Sequence, residues 1–412
     1  LEFVTGLMEE EGIWYFFSHA DGAHTMVLGD APITHPPLPA GPTITYDPGV
    51  GGLRPDMRIA EWERVQELTA KTATLWDHCF ELPGRNLEAT APITASIAMG
   101  TVTHALQTSA NASLEVYDYP GEYAKRFDGI ASGGSEQASQ IQKIFQDNVR
   151  TARVRAGQIE AQALRAHGAS DCRQLASGHK FTLAGHPDGD GEYVLLEVEH
   201  EGRAESPGRS GGDAGISYQN RFTAIPAALP YRPPRIARRP RVDGCQTATV
   251  VGPQGEEIFT DKYGRVKVQF HWDRDGQLDA NSSGWVRVAT MWAGAQWGAI
   301  HIPRVGQEVV VDFLEGDPDR PIIVGSVYNA NQMPPYTLPD NKTQSGIRSR
   351  SSAQGTAETF NEIRFEDKKD AEQVFVQAQK DLETLVKNDE KRTVWHDRAT
   401  TVLNDDTRNV GG

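Results

Sequence analysis

A possible nucleophile lies in the middle of the chain. Gly208, Ser210 and Gly212 satisfy the G-x-S-x-G pattern of a serine hydrolase. That chemistry needs a strand before the serine and a helix after it, so that the hydroxyl sits on a sharp turn. Here the flanks, from Gly202 to Gly215, are rich in Gly, Ser and Pro and predict a surface loop. The pattern therefore does not predict a catalytic serine.

Closely spaced carboxylates are a second possible source of chemistry, because glycosidases use a pair of them as acid and base or nucleophile. The two groups are Glu9, Glu10, Glu11 and Glu315, Asp317, Asp319. In a chain with 56 acidic and 41 basic residues, such groups usually lie on a solvated face or in turns. Glu315 to Pro318 predicts a tight turn that closes a barrel. We therefore predict no catalytic residue and no enzyme activity.

Metal ligands show no zinc spacing. None of the twelve histidines falls in H-E-x-x-H, and no two cysteines have C-x-x-C spacing. His186 follows a glycine and precedes Pro187, and His271 precedes Trp272, so we predict turn or packing roles for both. We predict no metal site and no cofactor.

The last residues repeat with a period of eight. Valines recur at Val386, Val394, Val402 and Val410. Asn388, His396 and Asn404, each followed by Asp, keep the same interval. Eight residues advance a helix by about 800°, which leaves successive valines roughly 80° apart, whereas an even period returns them to one face of a strand. Such a narrow apolar face needs identical neighbours, which are either later coils of the same chain or other copies of it, so we predict that these four valines form a shared core.

Two alternatives for the repeat stay open. Leu382, Leu385 and Val386 have helical spacing, although that pattern breaks at Asp389 and Glu390. Three copies of His396 about an axis could hold a metal, and His396 has the strand parity of Val394.

Composition limits the partners. The net charge of −15 opposes a nucleic-acid or anionic-membrane binder. Three distant cysteines imply no disulfide framework and fit a reducing compartment. The sequence shows neither a membrane span nor a secretory signal, and its start, without Met, predicts that the chain begins inside a domain.

Elements that could position these residues follow from alternation and turn signals. The stretches 13–17 and 25–28 flank Asp21-Gly22 and predict a hairpin. A helix is predicted from Ser135, as its cap, to Val149, with one face formed by Ile141, Ile144, Phe145 and Val149. The Pro-rich run Tyr231 to Arg241 predicts an extended connector.

Five strands are predicted after the connector, at 247–251, 265–270, 285–289, 307–313 and 322–328. They suit an OB-fold barrel, although a sandwich fragment is the alternative. In the second strand Val266, Val268 and Phe270 alternate with polar residues, which predicts a half-buried strand. Residues 243–330 hold twelve acidic and seven basic residues. Such a barrel would not attract nucleic acid, so Trp285, Trp292 and Trp297 are predicted to pack in the barrel or between subunits.

With these motifs in view, the chain resembles the VgrG family of type VI secretion spikes, which is related to contractile phage tail hubs. The resemblance covers most of residues 180–380, with a looser match before residue 180. It rests on these segments: YQNRF from Tyr218, AIP from Ala224, YRPP from Tyr231, TDKYGRVKVQFHWDRDG from Thr260, WVRVATMWAGAQWG from Trp285, IPRVGQEVVVDFLEGDPDRPIIVGSVYN from Ile302 and NEIRFEDKKDAEQVFV from Asn361.

The resemblance implies a mainly β chain with an α+β portion. Its expected parts are a hub-like α+β/β-barrel region at 1–235 lacking its first residues, a linker at 236–242, a five-stranded OB-fold at 243–335, a connector at 336–385, and at 386–412 the start of an intertwined trimeric β-prism needle.

The function implied is a structural homotrimeric spike that caps the Hcp tube, carries effectors and punctures a target membrane, with a PAAR-type protein at its tip. It would reside in the bacterial cytoplasm and leave by type VI secretion. The alternative is a spike that bears a wall-degrading or other effector domain outside this chain.

Overall fold

The computed structural model describes residues 2–39, 41–49, 57–204 and 216–411. Residues 202–204 of the predicted loop lie in a strand that ends at Ala204, and residues 205–215, which include Ser210, lie outside the described residues. The chain forms two compact units, one ending at Val327 and one beginning at Tyr328. The domain boundaries given above remain predictions.

The first unit holds the helices and most of the strands. Its helices are α1 (Glu2–Glu11), α2 (Ala138–Ile141) and α3 (Ile144–Ala163), with 3-10 turns at Pro32–Thr34, Ala124–Arg126 and Leu314–Gly316. Its strands up to α3 are β1 (Trp14–Ala20), β2 (Ala23–Gly29), β3 (Thr43–Tyr46), β4 (Arg58–Gln66), β5 (Thr72–Leu75), β6 (Ala89–Pro92), β7 (Ser96–Met99), β8 (Val102–Ala105) and β9 (Glu115–Asp118). Its strands after α3 are β10 (Leu164–Ser170), β11 (Lys180–Ala184), β12 (Gly191–Ala204), β13 (Ile216–Pro226), β14 (Gln246–Val251), β15 (Lys267–Phe270), β16 (Arg287–Val288), β17 (Ala293–Gly294), β18 (Trp297–Gly298), β19 (Glu308–Phe313) and β20 (Pro321–Val327).

A closed barrel forms the centre of the N-terminal part. Its strands follow the order β10, β13, β12, β11, β3 and β4. Alternate residues of a barrel strand point inward, and Phe181, Leu183, Tyr193 and Phe222 are buried in this core. The predicted hairpin is also present, because β1 pairs with β2 around Asp21-Gly22. Gly22 has φ +70°, which glycine adopts at little cost.

The predicted helix is wrong in its bounds. The chain makes one turn at α2, and the main helix α3 begins only at Ile144. Ser135 precedes both and caps neither; its carbonyl accepts from the amide of Ala131 (2.8 Å). Phe145 and Val149 are exposed. The buried face of α3 instead includes the small residues Ala152 and Ala156, which belong to the same core as the sheet β6-β5-β9. The spacing of large apolar residues alone therefore does not identify a helix face that alanines complete.

The five strands predicted after the connector are all present. Their order is β15, β14, β19, β20 and β16. Backbone hydrogen bonds between Val266 and Val286, of 3.0 and 2.8 Å, join the first and last strands of this sheet. Val250, Val268 and Val309 lie in its core. These features confirm the predicted OB-type barrel.

The predicted half-buried strand is buried on both faces. Its polar side chains Arg265 and Lys267 are 3% and 1% exposed, and Gln269 is also buried. Arg265 donates to both carboxylate oxygens of Asp128 (2.8 and 2.9 Å), and Lys267 donates to Ser132 Oγ (2.7 Å). Alternation showed the polar face, but it could not show that the segment 128–132 covers it. We call these contacts the hub–barrel joint.

The connector is extended, as predicted, and the carboxylates of α1 hold it. The Glu9 side chain accepts from the backbone amides of Ile236 (2.8 Å) and Ala237 (2.9 Å). Glu10 pairs with Arg235 at 3.3 Å. Glu11 pairs with two arginines from the segment 126–150. The prediction that these three glutamates are solvated is therefore wrong, because their arginine and amide partners are distant in sequence.

The second unit contains one small antiparallel sheet. Its strands, in spatial order, are β21 (Gln344–Arg348), β22 (Glu362–Glu366) and β23 (Gln373–Gln377). Residues 378–411 contain no helix or strand within the single chain. The helical alternative for Leu382 to Val386 is therefore wrong.

Candidate assembly interface

The sheet of the second unit presents an open apolar face. The register places Ile363 between Ile347 and Val376, and Phe365 beside Val374. These five side chains are between 44% and 66% exposed. The alternation in this segment was visible in the sequence, but these residues were not predicted as an interface.

The opposite face of the same sheet carries charged side chains that pair within the chain. The Glu362 carboxylate is fully buried and pairs with Arg348 (3.3 Å) and Arg364 (3.9 Å). Arg348 also lies 3.9 Å from the ring centre of Phe360, and Arg364 lies 4.8 Å from that of Phe375. One face thus forms ion pairs within the chain, whereas the apolar face is about half exposed in the single chain.

The octads repeat in geometry as well as in sequence. The backbone bends at 387–388, 395–396 and 403–404. Val386, Val394 and Val402 have nearly equal exposed fractions of 46%, 48% and 50%, whereas Val410 is 93% exposed. Trp395 and Leu403, each next to an octad valine, are both 97% exposed. The first three predicted core valines therefore occupy equivalent, half-shielded places, distinct from those of their neighbours.

A polar pair accompanies each bend. The Asn388 and Asn404 amides donate to the following aspartates at 3.0 and 3.1 Å, and His396 Nδ1 lies 2.9 Å from the Asp397 carboxylate. His396 therefore plays the same part as the asparagines. Within the described ranges, no group of three or more His, Cys, Asp or Glu side chains could hold a metal ion. The three-copy metal site at His396 stays a prediction.

The second carboxylate group has a structural role. Glu315 lies in the turn between β19 and β20, with φ +58°, and this location confirms the predicted turn. Asp317 and Asp319 accept from Lys125 Nζ at 2.8 and 3.0 Å and so join the barrel to the N-terminal part. Burial opposes the charge of Lys125, but the hydrogen bonds outweigh it and its pKa is raised.

The two predicted turn histidines have ordinary partners. His186 Nδ1 accepts from the amide of Gly189 (2.9 Å), which confirms its turn role. His271 Nε2 lies 3.0 Å from Thr247 Oγ1.

The tryptophans separate into two groups. Trp285 donates from Nε1 to the carbonyl of Ala131 (2.9 Å) and packs near Phe259, which confirms packing at the barrel. Trp292 and Trp297 are 63% and 57% exposed, so packing inside the barrel is wrong for them.

Family models match successive parts of the chain. Residues 1–206 match the phage tail baseplate hub family, and residues 249–328 match the type VI secretion system/phage-baseplate injector OB domain. Residues 345–412, which include β21 to β23 and the octads, match the bacteriophage T4 gp5 C-terminal trimerisation domain.

Curated relatives align along nearly the whole chain. The spike proteins VgrG1b and VgrG1a of Pseudomonas aeruginosa are 43% and 42% identical; the alignments cover 97% and 96% of this chain and 50% and 57% of the relatives. The actin cross-linking toxin VgrG1 of Vibrio cholerae is 36% identical, with 98% of this chain and 34% of the toxin covered. The chain thus spans about half the length of the Pseudomonas relatives.

Solved structures show a distant likeness. The Escherichia coli c3393 protein, a type VI secretion component similar to phage T4 gp27 and gp5, matches with TM-score 0.43, 18% identity and coverage of 79% of this chain and 60% of that one. The Francisella PdpA–VgrG complex matches with TM-score 0.45, 8% identity and coverage of 92% and 56%.

Hub, barrel and trimerisation segment, in this order, define a phage-tail-like hub and spike chain. The chain belongs to the VgrG family of type VI secretion spike proteins.

Proposed function

We propose that three copies of this chain form a homotrimeric spike in which Val386, Val394, Val402 and Val410 line a shared core. The observation that carries the proposal is the repeating environment of the first three valines, each half-shielded by its own chain. The match to a trimerisation domain over the same residues supports it.

Three intertwined strands would bury the octad valines and pair the backbone groups that a single chain leaves unpaired in this segment. Backbone amides and carbonyls need hydrogen-bond partners when a valine core is buried. Strands from other copies supply them, and winding the chains around each other covers their edges. Each octad is then paired to a different chain, so the segment opens only when several strands separate together. This gives the stiffness that a puncturing part requires.

The finer roles follow from family membership and are part of the proposal. The spike caps the Hcp tube, carries a PAAR-type tip protein and effectors, and is driven through the target membrane. Before secretion the spike is located in the bacterial cytoplasm, and it is exported together with the secreted tube. The net charge of −15 supports the exclusion of nucleic acid as a partner. No helix in the described ranges has the length and hydropathy to cross a bilayer.

The second candidate is a spike that bears an enzyme. One relative is named an actin cross-linking toxin, and the alignment leaves about two thirds of that relative uncovered. Catalysis would then belong to sequence outside this chain, and the part described here would act mechanically in both cases.

Tube export tests the proposal in cells. The gene that encodes this chain is replaced by a version with Val402→Asp or, as the matched control, Leu403→Asp, and the tube protein in the medium is measured. The proposal predicts lost export for Val402→Asp, because three carboxylates would enter the core, and retained export for Leu403→Asp. Normal export with Val402→Asp would contradict it.

A further inference from the structure

A small hairpin projects from the OB-type barrel. Strands β17 and β18 pair across Ala295-Gln296; Trp292 immediately precedes β17, and Trp297 begins β18. The two indoles meet edge to face, with ring centres 5.0 Å apart. The backbone is built around them, because a Cβ added at Gly294 would overlap the Trp297 ring.

The surface of this hairpin is apolar and uncharged. Met291 and Ile300 flank the tryptophans and are 83% and 74% exposed. Residues 289–303 contain no Asp, Glu, Lys or Arg, although 24% of the whole chain is charged. Exposed large apolar side chains with aromatic anchors are typical of protein–protein interfaces, whose centres are depleted of charge.

We propose that this hairpin docks on the barrel of a second copy of the same chain within the trimer. The inference rests on the proposed trimeric function and adds an interface distinct from the octads, since it lies in a different family match, 249–328 instead of 345–412.

The size of the patch favours a second copy over a separate protein. Stable complexes between free partners bury about 1,200–2,000 Å², and four side chains supply much less. The segment 328–344 joins each barrel to residues that match a trimerisation domain. Tethering through a short segment gives an effective concentration of about a millimolar. At such a concentration a small apolar patch can pair with a neighbouring copy, whereas it would not hold a freely diffusing partner.

Photo-crosslinking of the full chain tests this contact. Benzoylphenylalanine replaces Met291 or, as a control, the connector residue Ile236, which is 78% exposed. Chains labelled with ¹⁴N and ¹⁵N are co-assembled and irradiated. We expect adducts from position 291 that join a heavy peptide to a light one from the barrel, and far fewer from position 236. A trimer without heavy–light adducts from position 291, or adducts formed only with added phosphatidylglycerol vesicles, would overturn the contact.

Sedimentation separates failure of this inference from failure of the function. If the unmodified chain is not a trimer, the proposed function fails; if it is a trimer without such adducts, only the hairpin contact fails. As a second measurement, Trp292→Ala combined with Trp297→Ala should raise the concentration for half-dissociation of the trimer at least tenfold. Trp272→Ala, at another exposed tryptophan of the barrel, should leave it within twofold. Equal values for the two variants would contradict the proposal.

Discussion

The hub–barrel joint and the octad segment differ in which side chains are buried: charged ones at the joint, and apolar ones only in part in the octads. At the joint, buried charges meet charges: Arg265 is 3% exposed and pairs with Asp128 and with the fully buried Asp261 carboxylate. In the octads, Val386, Val394 and Val402 stay about half exposed, and the backbone of residues 386–410 forms no strand with the described part of the chain. The joint therefore has its ion pairs within one chain, whereas the octads have their core completed by other chains only in the proposed trimer.

The difference shows how each region should respond to mutation. A change at the joint should alter how stably one chain folds, whereas a change in the octads should alter how many chains assemble. Oligomeric state and stability to denaturant can thus be separated.

The largest effect is expected for Val402→Asp. In the proposed trimer this variant buries three unpaired carboxylates, and each costs several kcal/mol, so trimer dissociation should rise by roughly a hundredfold or more. Leu403→Asp, at the 97% exposed neighbour, should keep the trimer. Sedimentation equilibrium of both variants is the measurement. Dissociation by Leu403→Asp but not by Val402→Asp would reverse the assignment of the core face.

A smaller effect, confined to one chain, is expected at the joint. Arg265→Ala removes the charged partner of the buried Asp261 carboxylate, and breaking such a buried pair costs about 3–5 kcal/mol of unfolding free energy. Lys262→Ala breaks the exposed pair with Glu136 and should change little. Urea unfolding followed by fluorescence compares them. Equal midpoints for the two variants would show that the joint does not hold the first unit together.

A pH effect should also be confined to the first unit. His35 stacks on Trp14, with ring centres 3.9 Å apart. Burial, together with nearby Lys180 and His179, lowers its pKa below 6.5 against a backbone hydrogen bond to Gly178. The unfolded chain therefore binds more protons, and stability falls as pH drops below 6.5 towards the folded pKa. We expect the urea midpoint of His35→Gln to decrease less between pH 7 and pH 5 than the midpoint of the unmodified chain. An identical pH profile would contradict the role of His35.

The smallest effect is expected where catalysis was considered. Ser210→Ala and Glu315→Gln should leave trimer mass and tube export unchanged, because neither residue is required to attack or to transfer a proton. A hydrolytic activity that either variant abolished would refute the mechanical account.

Local signals predicted the barrel strands and the β1–β2 hairpin, because alternation and turn residues act over a few neighbours. They failed where a partner is distant in sequence. Glu9 was expected to be solvated, yet it binds amides more than 200 residues away. Arg265 was placed on an exposed face that Asp128 covers. In the octads the eight-residue period alone identified the valines, because an even period returns them to one face of a strand whatever their distant partners are.

The central claim is that the octads and the apolar sheet face are completed by other copies of the chain. The mass of the unmodified chain in solution, measured by sedimentation equilibrium across a range of concentrations, tests it most directly. The account predicts a particle of about three times 45.2 kDa. A particle with the mass of one chain at every concentration would contradict it.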